Sequence, residues 1–124
     1  MKQRYLIDSR IFMDHLCGQT KATAWLIKLK DGEAVITPRA RAEILITSDK
    51  KHQEKIQLML DQYPCIPFDK MCSDKAHTLW KEKGWSLDDA FHVALAHEKQ
   101  LIFVTNKHKG FRNSKDKHVF ILKS

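Results

Sequence analysis

Three carboxylates that lie far apart in the sequence stand beside elements that could carry them to one place. Asp89 is the second acid of "SLDDAFHVALA", Asp8 follows the apolar run "YLI", and Glu43 lies in "TPRARAEILI". Carboxylate oxygens are the ligands that Mg²⁺ and Mn²⁺ prefer. An ion held by such groups activates water and offsets negative charge on a phosphodiester. The residue types therefore indicate metal-dependent phosphodiester hydrolysis, provided that the fold brings the acids together.

Each acid also has an ordinary structural explanation. Ser86 and Asp89 are spaced nearly as a capping box, and acids are favoured at the start of a helix. Asp8 would serve as a turn or cap residue. Glu43 would form a surface ion pair with Arg39, four residues earlier, worth a few tenths of a kcal/mol. The elements around the acids decide between the two explanations.

Short apolar runs predict the buried strands of a parallel sheet, because strands covered on both faces are apolar throughout. The runs span residues 5–7, 34–36, 65–68, 101–105 and 118–122. Helical patterns fill the intervals, with these start and stop signals: Thr37 with Pro38, Asp69, Gly84 and Ser86. The alternation predicts an α/β protein, a three-layer α/β/α sandwich with a central, mostly parallel sheet of four to five strands.

The predicted topology brings the three acids to one edge of the sheet. In such sheets, the loops that leave the carboxyl ends of the strands form the ligand crevice. Asp8 directly follows the first strand, and Glu43 lies in the second turn of a helix that starts at the same edge. Asp89 begins a helix that runs antiparallel to the following strand, so its start lies over the carboxyl end of that strand. We therefore expect one shared crevice.

The composition favours one soluble, reduced domain over residues 1–124. The chain is 43% hydrophobic, and none of its apolar runs approaches the ~20 residues needed to cross a membrane. Asp8 interrupts the apolar stretch that a signal peptide would need, so export is not expected. Three cysteines without a CxxC pair indicate free thiols in the cytoplasm, and neither Cys65 nor Cys72 has a neighbouring base that would make it a nucleophile.

The tryptophans receive different predictions. Trp25 and Trp80 fall on apolar helical stripes, so we expect them in the core. Trp85 stands beside the turn glycine Gly84, so we expect it at the surface.

The charge balance points to an anionic partner. The chain has 22 basic and 15 acidic residues, a net charge of +7, and such a field attracts polyanions. Positive charge is concentrated in "TNKHKGFRNSKDKHVF" (105–120), which includes Lys107, Lys109 and Arg112. This segment is either a solvated basic loop or a surface that contacts phosphates.

The ordered set "YLIDS", "TPRARAEIL", "PFD", "LDDAFHVALAHEKQLIFVTN" and "KGF" resembles the PIN domain, the fold of VapC-type toxin ribonucleases. The resemblance covers nearly the whole chain. It implies a ribonuclease that uses Mg²⁺ or Mn²⁺, with Asp8, Glu43 and Asp89 as catalytic and metal-binding residues. Thr105 matches the threonine that ends the fourth strand of the family.

The sequence departs from the family pattern at three positions. Arg10 replaces the usual polar residue two positions after the first acid, and Gly110 replaces a later acid. Lys107 stands where the fourth acid or asparagine usually falls, and Asn106 is its neighbour. The resemblance then implies one ion held by three acids, with weakened activity as an open alternative. The expected RNA-contacting residues are Arg10, Thr105, Lys107, Lys109 and Arg112.

The resemblance also implies partners: an RNA substrate, a small antitoxin protein and a second copy of the chain, with no membrane. Two alternatives stay open. One is a catalytically weakened domain that binds RNA or protein. The other is a helix-turn-helix DNA binder formed by "AHTLWKEKGWSLDDAFHV", which is disfavoured because Trp80 occupies a position that needs a small residue and the acids would face phosphates.

Overall fold

A computed structural model describes residues 2–106 and 115–122. Its sheet has four strands, all parallel, in the order β2-β1-β3-β4. Leu6 in the central strand pairs with Val35 on one side and Phe103 on the other. The strands are β1 (Tyr5–Ile7), β2 (Ala34–Val35), β3 (Ile102–Thr105) and β4 (Val119–Ile121).

Six helices connect and flank the described strands, and three of them begin where local signals predicted. Thr37, Asp69 and Ser86 each accept a backbone N–H as the N-cap of a helix. Gly84 ends α5 with a φ of 68°, a conformation that glycine adopts without strain. The helices are α1 (Ser9–Leu16), α2 (Thr20–Ile27), α3 (Pro38–Thr47), α4 (Gln53–Leu60), α5 (Lys70–Lys83) and α6 (Leu87–Lys99).

The predicted three-layer sandwich is confirmed. Successive residues of a strand are buried on opposite faces of the sheet, because side chains alternate along a strand with a period of two residues. Leu6 and Phe103 belong to the core under α5 and α6, whereas Ile7 and Val104 belong to the core under α1 to α4. No helix within residues 2–106 and 115–122 has the length and apolar character that a membrane span requires.

The strand predicted at 65–68 is wrong. The segment makes a single parallel bridge, between Cys65 and Ile36, and joins the sheet no further. Pro64 precedes the segment and Pro67 lies within it, and proline has no N–H to donate to a ladder. The helix α1 was not predicted. It begins because Oδ1 of Asp8 accepts the Arg10 amide at 3.2 Å as its N-cap.

Two of the tryptophan predictions are also wrong. Trp80 is 50% exposed, whereas Trp85 is buried with 7% exposed. The stripe that α5 buries passes through Cys72, Ala76 and Leu79, and it is too narrow to include the next residue. Trp85 packs into the core under α5 and α6 because the turn at Gly84 directs the chain back to the sheet.

The cysteines are free thiols, as expected. Cys72 is fully buried, and its Sγ faces the Phe91 carbonyl at 3.5 Å. Burial raises the pKa of Cys72 to about 11, with the nearby Glu98 and Asp69 carboxyls adding to the shift. The thiol is therefore protonated at neutral pH and is not a nucleophile.

Asp116 ties the start of β4 to the end of α6 at the edge of the sheet away from Asp8. Its Oδ2 lies 2.7 Å from Nε2 of His97, and its Oδ1 accepts the His118 amide at 2.8 Å. Burial by itself raises the pKa of Asp116, but the hydrogen bonds from His118 and His97 outweigh it, so the pKa lies below its ordinary value of 3.8. The charged carboxylate is thus the form that the fold stabilises.

We expect Asp116→Asn to lower the free energy of unfolding at pH 7 by about 1 kcal/mol. Because the folded pKa is depressed, the stabilisation is complete above the unfolded value near 4 and is lost as the pH falls through the folded pKa. Urea unfolding of both proteins from pH 7 to pH 3 measures this. The control is Asp31→Asn, because Asp31 is exposed. The assignment would be contradicted if the difference in the free energy of unfolding between wild type and Asp116→Asn were the same at pH 3 as at pH 7.

Candidate active site

Asp8 lies at the carboxyl end of β1, where the chain turns into α1. Its backbone N–H donates to the Val104 carbonyl at 2.9 Å, which joins it to β3. The residue is 5% exposed, yet it carries a carboxylate. A buried carboxylate requires hydrogen bonds or counter-charges, so its surroundings define the site.

Asp8 is held by donors from several elements. The Thr105 hydroxyl, at the end of β3, donates to Oδ2 at 2.5 Å. Nη1 of Arg10 also reaches Oδ2, at 3.2 Å, and the Ser9 hydroxyl lies 3.3 Å from Oδ1. Thr105 and Arg10, both predicted as site residues, are therefore first of all partners of Asp8.

Ser9 connects Asp8 to Glu43. The Ser9 Oγ lies 3.3 Å from Oδ1 of Asp8 and 3.5 Å from Oε2 of Glu43. Since a hydroxyl has one proton, it donates to one of these carboxylates at a time. Asp8 and Glu43 thus converge on the hydroxyl of Ser9, which is 34 residues from Glu43 in the sequence. Ser9 was not predicted as a site residue, and its position next to Asp8 was the available signal.

The two neighbouring acids at the start of α6 have different surroundings. Asp89 is 2% exposed, and its backbone N–H donates to the Ser86 hydroxyl at 3.2 Å, so the predicted helix cap is present. The side chain of Asp88 is 32% exposed, and its Oδ1 lies 2.5 Å from Nε of Arg39. Asp88 therefore binds an arginine of α3, while Asp89 lies inside the protein.

A buried hydrogen bond fixes α3 against α6 beneath this edge. Thr37 is 0% and His92 is 2% exposed, and Oγ1 of Thr37 lies 3.1 Å from Nε2 of His92. Nδ1 of His92 lies 2.8 Å from the Asp88 carbonyl, which can only accept, so Nδ1 carries a proton. In the neutral ring, Nε2 then accepts from the Thr37 hydroxyl. This pair links the start of α3, the helix that carries Glu43, to α6, the helix that begins with Asp88 and Asp89.

The oxygens at this edge suit a hard divalent cation. Magnesium is commonly bound by one or two carboxylates and keeps several waters, so the converging pair Asp8 and Glu43 fits such an ion. Among residues 2–106 and 115–122, no three His, Cys, Asp or Glu side chains are grouped closely enough to hold one ion together. The inclusion of Asp89 in the ligand set stays a prediction.

The remaining predicted residues lie at or beyond the end of β3. Asn106 donates from Nδ2 to Oδ2 of Asp14, which was not predicted as a site residue. This contact borders a cavity of about 140 Å³ between α1, α2 and the end of β4. Lys107, Lys109, Gly110 and Arg112 lie outside the described residues, so their predicted roles in RNA binding stay predictions.

The sequence model of the PIN domain matches residues 5–115. No curated protein matches the sequence.

Solved structures share the fold over nearly the whole chain. A toxin–antitoxin complex from Klebsiella pneumoniae matches with a TM-score of 0.86 and 21% identity, over 97% of this chain and 98% of that one. A DNA-bound VapBC from Salmonella typhimurium matches with a TM-score of 0.79 and 11% identity, over 98% and 99%. FitAcB from Neisseria gonorrhoeae matches with a TM-score of 0.72 and 19% identity, over 94% and 96%. At these identities the likeness concerns the fold.

Proposed function

This chain belongs to the PIN domain family, whose members are generally nucleases, and on that premise we propose that it is a metal-dependent ribonuclease. The observation that carries the proposal is the convergence of the Asp8 and Glu43 carboxylates on the Ser9 hydroxyl at the carboxyl edge of the sheet. In this proposal Asp8, Glu43 and Asp89 are the catalytic acids and hold Mg²⁺ or Mn²⁺. Such an ion supplies an activated water and offsets charge on the phosphodiester.

The other side chains of the site have supporting roles in this proposal. Thr105 donates to Oδ2 of Asp8 and leaves Oδ1 to the Ser9 hydroxyl and the Arg10 amide, so it orients the carboxylate. Arg10, whose side chain is 46% exposed, is close enough to Asp8 to contact a phosphate of RNA bound there. We assign the same backbone-contacting role to Lys107, Lys109 and Arg112, with Asn106 or Lys107 at the fourth position of the family pattern.

The proposal is tested by incubating labelled single-stranded RNA with the protein and either Mn²⁺ or EDTA, alongside DNA of the same sequence. We expect cleavage of RNA that requires the divalent ion, because Asp8 and Glu43 alone supply no cation that activates water or offsets charge on the phosphodiester. Cleavage in EDTA at the same rate would contradict the metal requirement. A contaminating RNase is excluded if the Mn²⁺-dependent activity co-purifies with the protein.

One observation favours a second candidate, a domain that binds RNA or protein without cutting. The carboxylates of Asp8 and Glu43 each have an arginine within 4 Å, Arg10 at 3.2 Å and Arg39 at 3.7 Å. These guanidiniums neutralise the carboxylates that would otherwise bind a metal ion. RNA binding by the wild-type protein without cleavage in Mg²⁺ or Mn²⁺ would support this candidate.

We propose that the biological setting is a toxin–antitoxin pair in the cytoplasm, because a structural relative from Klebsiella pneumoniae is part of a toxin–antitoxin complex. The expected partners are an RNA substrate, a small antitoxin protein and a second copy of this chain. Co-expression with the product of a small adjacent gene tests the antitoxin, which should co-purify and suppress cleavage. Light scattering of the purified protein measures the mass of the assembly.

A further inference from the structure

Arg39 contacts acids on two different helices at the edge of the candidate site. Its Nε lies 2.5 Å from Oδ1 of Asp88 in α6 and 3.7 Å from Oε1 of Glu43, one turn further along α3. The side chain of Arg39 is 62% exposed, and that of Glu43 is 38% exposed. The guanidinium is therefore a positive charge placed beside a proposed metal ligand, in contacts that are open to exchange with solvent.

We infer that Arg39 is a positioning residue that acts through Glu43 by competing with the divalent cation for its carboxylate. This inference rests on the proposed function, because it takes Asp8 and Glu43 as the pair that holds the ion. Glu43 turns Oε2 towards Ser9 and Oε1 towards Arg39. An ion that binds Glu43 must therefore share or replace the contact with the guanidinium.

Asp88 gains a role from this arrangement. The family resemblance gives it none, since Asp89 is the acid that matches the motif. In the structure Asp88 anchors the guanidinium at 2.5 Å, while its own backbone carbonyl accepts from His92 at 2.8 Å. Asp88 therefore keeps Arg39 beside Glu43 from a backbone position that is itself fixed.

The charges set the size of the effect. A guanidinium and a divalent cation that share one carboxylate repel each other, and in surroundings close to water this corresponds to about a tenfold change in the binding constant. The Debye length is about 10 Å at 0.1 M salt and becomes shorter as the ionic strength rises, so the repulsion between these exposed charges weakens at higher salt. A purely structural role for Arg39 would instead change the thermal stability without a salt-dependent change in metal affinity.

The test measures Mn²⁺ binding to the purified protein at low salt from the paramagnetic resonance signal of the free ion. The variants are Arg39→Met, Arg39→Lys and the matched control Arg41→Met. Arg41 lies on the same helix but pairs with Asp61 at 2.7 Å, so its replacement removes an equal charge from a different ion pair. Melting temperatures of all four proteins verify that each is folded.

We expect Arg39→Met to lower the Kd for Mn²⁺ about tenfold. Arg39→Lys should stay within about threefold of wild type because it keeps the positive charge, and Arg41→Met within about twofold. The gain of Arg39→Met should diminish at 0.5 M salt. Unchanged or weaker Mn²⁺ binding by Arg39→Met overturns the inference, and so does an equal gain by Arg41→Met.

The outcome separates this inference from the proposed function. If wild type binds Mn²⁺ and Asp8→Asn does not, while Arg39→Met behaves as wild type, the metal site stands and the role of Arg39 falls. If wild type binds no Mn²⁺, the metal site and the role of Arg39 fall together.

Discussion

Asp8→Asn is expected to lower the rate of Mn²⁺-dependent RNA cleavage by about 100-fold or more while leaving the fold intact. The substitution removes one negative charge from the pair of carboxylates that converge on Ser9. A neutral amide oxygen attracts a divalent cation much less than a carboxylate does. Asparagine is as good an N-cap as aspartate, so α1 keeps its start and the Arg10 amide keeps an acceptor.

Asp49→Asn is the matched control for this measurement. Asp49 also caps a helical turn, since its Oδ1 accepts the Lys51 amide at 3.1 Å, but it begins the short 3-10 helix at Lys50–His52. Initial rates of cleavage on one labelled RNA compare the three proteins, and circular dichroism checks their folding. Wild-type rates for Asp8→Asn would reject the catalytic assignment of this residue.

His92→Ala is expected to lower the free energy of unfolding by about 3 kcal/mol. The ring is 2% exposed and packs against Phe103 with 5.1 Å between ring centroids, so its removal leaves a cavity. The Thr37 hydroxyl and the Asp88 carbonyl also lose their partner. In a domain of this size such a loss lowers the melting temperature by about 10 °C.

Urea and thermal unfolding measure this loss, with His77→Ala as the control. His77 is exposed on α5 and stacks on Trp80 at 6.2 Å, so its removal should cost less than about 0.5 kcal/mol. The Thr37→Val and His92→Ala double-mutant cycle isolates the hydrogen bond between them. A loss below about 1 kcal/mol for His92→Ala would show that its burial is not what fixes α3 against α6.

Local signals predicted much of the helical framework. Thr37, Asp69 and Ser86 are N-caps because a short polar side chain satisfies an orphan N–H within three residues, and such a signal is complete in the sequence. The parallel direction of the strands was also predicted, since apolar runs alternating with helices allow few other folds. The segment at 65–68 was predicted wrongly as a strand because its apolar character was given more weight than Pro64 before it and Pro67 within it.

Burial of individual side chains was less predictable. Trp80 and Trp85 exchanged their predicted environments because the width of a buried stripe depends on the neighbouring element, which a helical period does not describe. The sequence located Asp8, Glu43 and Asp89 along the chain, and the predicted topology assigns them to one edge of the sheet. It contained no signal for the distances between them.

What the sequence determined by itself is therefore most of the helices, the four strands and the family to which the chain belongs, since these depend on residue types at short or ordered spacings. The tertiary structure decided the contacts: Ser9 between two carboxylates, Arg39 of α3 with Asp88 of α6, and His92 with Thr37. The physical reason is range. A cap or a stripe is settled within a few residues, whereas a contact across 34, 49 or 55 residues depends on how the helices pack on the sheet.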